Sequence, residues 1–212
     1  MIEITEQMLS ELREQVMGKM SLKRFRHTAA VEDMTARLCA LYCPEHTLKM
    51  RAAALLHDIT KEKTPAEQQE LCHTLGLPVT SFDCRAPKTF HARTGAAMIA
   101  VEYPAFNDEM IVSAVRWHST GRRGMTLTEQ LLFLADYIDL SRTYPNCVIL
   151  RRYFWGAIEA EGISSPMALQ KLLNDTMLLA FDMTLRDLME EGAPIAPDTV
   201  DARNFILENQ AN

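Results

Sequence analysis

His57 and Asp58 stand side by side near the end of an apolar run, KMRAAALLHDITKEK at residues 49–63, and both are ligand-type side chains for a divalent metal. Leu48, Ala52, Leu55, Leu56 and Ile59 recur at helical spacing, so the run predicts a core helix that carries Lys61 one turn beyond the pair. Burying an imidazole and a carboxylate without partners strips both of water, and a bound cation removes that cost. On its own the pair is equally readable as a solvated helix end. Four more polar residues shift that balance: His27, His91, His118 and Asp136 each fall on a stripe otherwise made of Ala, Val, Leu, Ile and Met. One such residue has a bland explanation as a hydrogen-bonded core group. Four histidines and two inward carboxylates together do not, because a core does not hold that many unpaired polar groups. Six nitrogen and oxygen ligands exceed the needs of one tetrahedral zinc and point to two metals sharing a carboxylate, with ligation suited to iron, manganese or nickel.

The elements that must position these residues read as helices. His27 lies with Val31, Met34, Leu38 and Leu41 on a stripe over residues 22–42, which Pro44 ends. An earlier helix carries Ile4, Met8, Leu12 and Val16 and stops near Gly18. Thr64-Pro65-Ala66-Glu67 is a capping box with proline at the first helical position, and the short helix it opens closes at Gly76. Residues 77–87 show no period and are expected as a loop. His91, Gly95, Met98 and Ile99 resume the helical spacing, and Asn107, Asp108 and Glu109 open a helix with Ile111, Val115 and His118 on one face. Thr126 to Glu129 repeats the capping box before a helix in which Leu132, Ala135, Asp136 and Asp139 share a face. Ser165-Pro166 starts a long helix with Leu172, Thr176, Leu179 and Met183 inward, stopped by Gly192 and Pro194. A last helix over residues 198–207 offers Phe205 and Ile206 to the core.

Length and charge bound the class. The chain has 212 residues, 48% of them hydrophobic, enough for one sizeable core, so residues 1–212 are expected as a single domain. There are no repeats or linkers, no apolar run long enough to span a bilayer, and an acidic amphipathic start unlike a secretory signal. Five irregularly spaced cysteines fit a reducing compartment, and a cytoplasmic location is expected. A net charge of −6 argues against nucleic acid as a partner but leaves a small polyanion open. Lys61, Lys63, Arg93, Arg116, Arg122, Arg123 and Arg142 crowd near the ligand positions in sequence. Cys39, Cys43 and His46 lack a fourth ligand and read as core and surface residues, and Trp117 reads as core in preference to a base-stacking platform.

At these residues the chain resembles a known family. His27, His57-Asp58 and Asp136 have the H…HD…D order of the HD-domain metal-dependent phosphohydrolases, and His91 and His118 resemble the subgroup that holds two metals. More narrowly, RHTAAVEDMTARLC, ALLHDITKE, FHARTGA, RWHSTGR and LFLADYIDLSR are similar to segments of the bacterial YqeK family, the symmetrical diadenosine tetraphosphate hydrolases. The resemblance runs through GAPIAPDTVDARN near the C-terminus. It implies an all-α fold, a single HD-domain helical bundle with a C-terminal helical extension. The HD metal-binding core would span 22–142, and C-terminal helices over 147–207 would pack on or cover it. It implies a centre of two divalent metal ions, iron foremost with manganese, nickel or magnesium as alternatives. One metal would take His27, His57, Asp58 and Asp136, and the other Asp58, His91 and His118, with Asp58 bridging.

The implied reaction is cleavage of a small-molecule dinucleoside polyphosphate, diadenosine tetraphosphate, at its middle to two ADP by a metal-bridged hydroxide. Two cations about 4 Å apart lower the pKa of a shared water enough to make hydroxide at neutral pH. Asp58 and Lys61 would be catalytic, and Lys61, Arg142, Arg93, Thr120 and Gly121 would contact substrate, Arg142 as a two-pronged phosphate clamp. A monomer or homodimer fits equally. Asp139-Leu140-Ser141-Arg142 stands where the family usually has Glu-Pro-Asn-Arg, Ala92 where glycine is common, and Thr60 where alanine is usual. Rival readings are an HD phosphohydrolase acting on another nucleotide, such as a nucleoside monophosphate or a guanosine alarmone, and a non-catalytic nucleotide-binding module. A degenerate module loses ligands, whereas all six positions here keep ligand-type side chains.

Overall fold

Side-chain caps start most of the helices. Thr5, Ser21, Thr64, Thr80, Asp108, Thr126 and Ser165 each accept a hydrogen bond from the first turn they precede, satisfying backbone N–H groups that have no partner inside the helix. The computed structural model describes residues 3–210, and the outermost residues of the expected 1–212 span lie outside the described ones. The fold is all-α, with eleven α-helices and no strand among the described residues: α1 (Glu6–Met17), α2 (Leu22–Tyr42), α3 (Thr47–Leu56), α4 (Pro65–Thr74), α5 (Ser81–Arg85), α6 (Phe90–Glu102), α7 (Glu109–Trp117), α8 (Leu127–Ile138), α9 (Pro145–Glu161), α10 (Pro166–Glu190) and α11 (Pro197–Gln210). None of them is long and apolar enough to cross a membrane.

The centre of the bundle is α2 packed on α3 and α8, with α7 set against α3, α6 and α8. Val31, Met34 and Leu38 of α2 meet Met50 and Leu55 of α3, Ile111 and Val115 of α7, and Leu131 and Leu134 of α8 in one buried cluster. Each such aliphatic side chain contributes about 1.5–3 kcal/mol by leaving water. Glu32, buried in α2, is paired with Arg13 of α1 at 2.6 Å and Arg51 of α3 at 3.0 Å, which fixes those three helices to one another. The C-terminal helices join this bundle through Phe181 of α10, whose ring lies 4.8 Å from that of Phe133 in α8. Arg151 of α9 donates to the carbonyls of Ile138, Asp139 and Arg142, and so holds the turn that follows α8.

Three details differ from the sequence expectation. The helix expected to carry His57, Asp58 and Ile59 ends at Leu56, and residues 57–63 continue as successive turns, with Ile59, Lys61 and Lys63 N–H donating to the carbonyls three residues back. Contacts with other segments hold these turns: Thr60 Oγ1 donates to the His91 carbonyl at 3.0 Å, and the Thr60 carbonyl accepts from Gln68 Nε2 at 2.5 Å. Second, residues 77–87 are not all loop. They contain α5, a single turn with a Thr80/Asp83 capping box, too short to show a period in sequence. Third, in α11 it is Ala202 and Ile206 that are buried, while Phe205 is half-buried beneath the Arg123 guanidinium, 5.0 Å from its ring centroid.

Candidate metal centre

Where α3 and α7 stop decides where two of the imidazoles point. His57 caps the C-terminus of α3, His118 caps that of α7, and His91 is the second residue of α6. In all three the ring folds back over the preceding turn, and Nδ1–H donates to the carbonyl three residues earlier. The distances are 2.6 Å to Ala54, 2.8 Å to Lys88 and 2.6 Å to Val115. A carbonyl only accepts, so the proton sits on Nδ1 and the Nε2 lone pair faces inward. His27 reaches the same result through side chains: its Nδ1 lies 3.4 Å from Asp139 Oδ2 and 3.3 Å from Ser141 Oγ, leaving Nε2 toward the others.

All six expected ligand residues converge. Asp58 presents Oδ2 to His57 Nε2 at 3.3 Å and His27 Nε2 at 3.8 Å, and Oδ1 to His91 Nε2 at 3.3 Å and His118 Nε2 at 3.8 Å. Its two oxygens therefore face two different histidine pairs. Asp136 Oδ1 lies 2.9 Å from His27 Nε2 and 3.8 Å from His57 Nε2. Two tight donor groups result, His27 with His57 and Asp136, and His57 with Asp58 and His118, each within 4.8 Å, so His57 belongs to both. His91 completes the set with Nε2 at 3.1 Å from His118 Nε2.

That last contact is the test of fit. With both Nδ1 protons committed to backbone, the His91 and His118 lone pairs point at each other, and burial holds both rings neutral, His118 down to about 4 and His91 well below its ordinary value. The buried Nε2 of His57 also lacks a directed hydrogen bond. Lys61 Nζ, 3.1 Å from His91 Nε2, supplies a donor to one of that pair only, so among the described residues the His118 and His57 lone pairs keep no donor, and mixed imidazole and carboxylate groups of this kind suit a divalent transition metal. The residues fit a metal centre.

Fixed cations already surround the carboxylates. Arg24 donates to Asp58 Oδ2 at 2.7 Å, Lys61 Nζ lies 3.1 Å from His91 Nε2, and Arg142 meets Asp136 Oδ1 at 2.5 Å and Asp139 Oδ2 at 3.3 Å. Burial pushes the Asp58 and Asp136 carboxyls up, but the His57 ring and Lys61 around the first, and Arg142 and His27 around the second, hold both well below the usual range. For His27, burial lowers the imidazole, yet Asp136 and Asp139 outweigh it and leave it at about 9.

The structure does not bring every expected contact residue to this point. Lys61 and Arg142 are at the centre. Arg93 is tied to Asp83 at 2.8 Å and to the Pro78 carbonyl, where it pins the segment before α5. Arg122 and Arg123 are paired with Glu129 and Glu208, so the basic crowding seen in sequence disperses. Thr120 is buried beside the centre and its carbonyl accepts from Thr199 Oγ1 at 2.8 Å. Gly121 has a packing reason of its own: at φ +66 a Cβ there would lie 2.7 Å from the Phe181 ring. Trp117 is flanked by the Arg116 guanidinium, 4.0 Å from its ring centroid. Two residues at the centre carry little signal in the sequence. Arg24 lies three residues before His27 on the same helical face, a spacing that would have found it. Asp139 was placed on the face of Asp136 but not recognised as the partner that orients His27.

Comparison with known proteins places these observations. Residues 24–141 match the HD domain family model. A protein of Bacillus subtilis (strain 168) named bis(5'-nucleosyl)-tetraphosphatase, symmetrical, is 28% identical over 87% of this chain and 89% of its own. One of the same name from Halalkalibacterium halodurans is 30% identical over 88% of this chain and 90% of its own. A crystal structure from Clostridium acetobutylicum, described as a predicted HD superfamily hydrolase involved in NAD metabolism, superposes with a TM-score of 0.80 at 26% identity, covering 98% of this chain and all of that one.

Proposed function

The chain belongs to the HD-domain family, and on that premise we propose that it is a metal-dependent phosphohydrolase that cleaves diadenosine tetraphosphate symmetrically into two ADP. The observation that carries metal dependence is the convergence of four imidazole Nε2 atoms on the two oxygens of Asp58 and on Asp136, with every Nδ1 directed away to a fixed partner. The choice of substrate rests on the activity named for the Bacillus and Halalkalibacterium relatives.

A pair of divalent cations held here, iron foremost, supplies Lewis acidity and an activated water at neutral pH. His27, His57, Asp58 and Asp136 would hold one cation, and Asp58, His91 and His118 the other. The backbone carbonyls of Ala54, Lys88 and Val115 keep three rings in the ligating tautomer, and Asp139 does so for His27. Lys61 and Arg142 stand at opposite sides of the cluster with part of each side chain open to solvent, and place positive charge where phosphoryl oxygens gain negative charge. Arg24 neutralises the Asp58 oxygen that faces His27 and His57.

A nucleotide panel tests the assignment. Metal-loaded protein is expected to turn over diadenosine tetraphosphate at least tenfold faster than nucleoside monophosphates or a guanosine alarmone, and chelation is expected to abolish turnover. Preference for either of the other substrates would move the chain to a different HD phosphohydrolase activity. Bound metal with no turnover of any would make it a binding module.

A further inference from the structure

Two cavities open at opposite ends of the ligand cluster. The first, about 450 Å³, begins at Asp136 and Arg142 and runs between the start of α9 and the end of α10, past Tyr144 and Asn146. The second, about 310 Å³, begins at Lys61 and Thr120 on the His91 side and is closed by Pro87, Ala193 and Pro194. Both volumes are in the range of small-molecule pockets, about 300–1,000 Å³. The two share a pair of lining residues, Thr184 and Leu188, one turn apart on a single face of α10. That face is a partition: the chain on one side of it reaches the cluster at Arg142, and on the other at Lys61.

We propose that these cavities are the two nucleoside subsites of a dinucleoside polyphosphate, separated by Thr184 and Leu188, so that the partition and not the metal ligands centres the substrate. This deepens the assignment made above and rests on it. The chemistry of each cavity suits a nucleoside joined to phosphate. In the first, Tyr144 holds an aromatic ring 69% exposed at the rim, a face open to stacking. Asn146 there donates to both oxygens of Asp187, at 2.9 and 2.8 Å, and ties the start of α9 to α10 along the cavity wall. In the second, proline and alanine faces offer an apolar floor, while Lys61 and Lys88 mark the phosphate end. A substrate of two like halves needs a receptor on each side of the cleavage point. A mononucleotide phosphatase needs one. The two cavities are the feature of this chain that distinguishes those substrate classes.

The test narrows each cavity separately in the manganese-loaded, full-length protein. Asn146→Trp fills the first and Ala193→Trp the second. Equilibrium dialysis with ADP, the half-product, is expected to give two ADP per chain for the wild type, one for each single variant and none for the double. KM for diadenosine tetraphosphate is expected to rise at least tenfold in each single variant. If Asn146→Trp fails to fold by circular dichroism, Tyr144→Ala takes its place and is expected to raise KM by removing the stacking face. One ADP per chain in an active wild type, or KM within twofold of wild type in both single variants, would overturn the two-subsite assignment while leaving the hydrolase assignment intact. A wild type that binds metal but does not cleave diadenosine tetraphosphate would overturn the hydrolase assignment, and this one with it.

Discussion

Replacing Asp139 with asparagine isolates the one imidazole whose orientation depends on a side chain. His57, His91 and His118 are held by backbone carbonyls that no substitution removes, whereas His27 relies on Asp139 Oδ2 at 3.4 Å, with Ser141 Oγ beside it. Asp139 is fully buried, and its other oxygen accepts from the Ser141 N–H at 2.8 Å. An asparagine that keeps the Ser141 bond turns its NH₂ toward His27, where a donor meets the Nδ1–H donor. The ring must then swing away or change tautomer, and its Nε2 leaves the cluster. Losing an orienting carboxylate of this kind weakens metal affinity about 10- to 100-fold, or about 1.4–2.7 kcal/mol. Arg142 keeps its 2.5 Å contact with Asp136, so the fold should survive. Calorimetric titration with manganese should show one of two metal sites weakened by that factor and the other within about twofold of wild type. Both sites unchanged would show that Asp139 does not orient His27, and would refute the reasoning.

Three further outcomes follow from the same geometry. His91→Ala should lose the second metal and most turnover while the far-ultraviolet circular dichroism stays unchanged, and full activity in that variant would remove His91 from the site. Gly121→Ala should destabilise the protein by about 2–5 kcal/mol, since it adds left-handed backbone strain to a clash with the Phe181 ring, and urea unfolding measures it. His27 is raised to about 9 in the metal-free protein by Asp136 and Asp139 against the effect of burial, so it is protonated near neutral pH. A group whose folded value is raised contributes stability that is fully present below its unfolded value, about 6.5, and is lost as pH rises through about 9. A metal needs the free lone pair, so uptake at about pH 7.5 should release about one proton from this ring, and uptake at about pH 10 should release none. Calorimetry in buffers of different ionisation enthalpy reads that number, and zero protons at the lower pH would contradict it.

The candidate ligand residues stand out in the sequence because each is a polar exception on an apolar run. The stripe, the caps and the stop signals are all local. What the sequence could not show was the direction of each ring. That depends on helices α3 and α7 ending one residue before their histidines, and the turns after α3 are held by bonds from Thr60 to the His91 carbonyl and from Gln68 to the Thr60 carbonyl, contacts outside the helix's own period. The basic residues were misleading for the same reason. Arg93, Arg122 and Arg123 are near ligands in sequence, but their partners Asp83, Glu129 and Glu208 draw them elsewhere. Arg24 shows the converse, since its reach to Asp58 crosses from one helix to the turn after another. The partition on α10 was invisible altogether, because Thr184 and Leu188 look like ordinary positions on a long amphipathic helix until α9 and residues 193–199 are seen on either side.

Hydrolysis of a dinucleoside tetraphosphate at its middle bond leaves an isotopic signature. Metal-loaded protein should be incubated with diadenosine tetraphosphate in water enriched in oxygen-18, and the nucleotides separated and weighed by mass spectrometry. The account predicts ADP as the only nucleotide product, with one heavy oxygen in half of the ADP molecules and none in the rest. AMP and ATP among the first products, or no cleavage by protein that carries its metals, would contradict it.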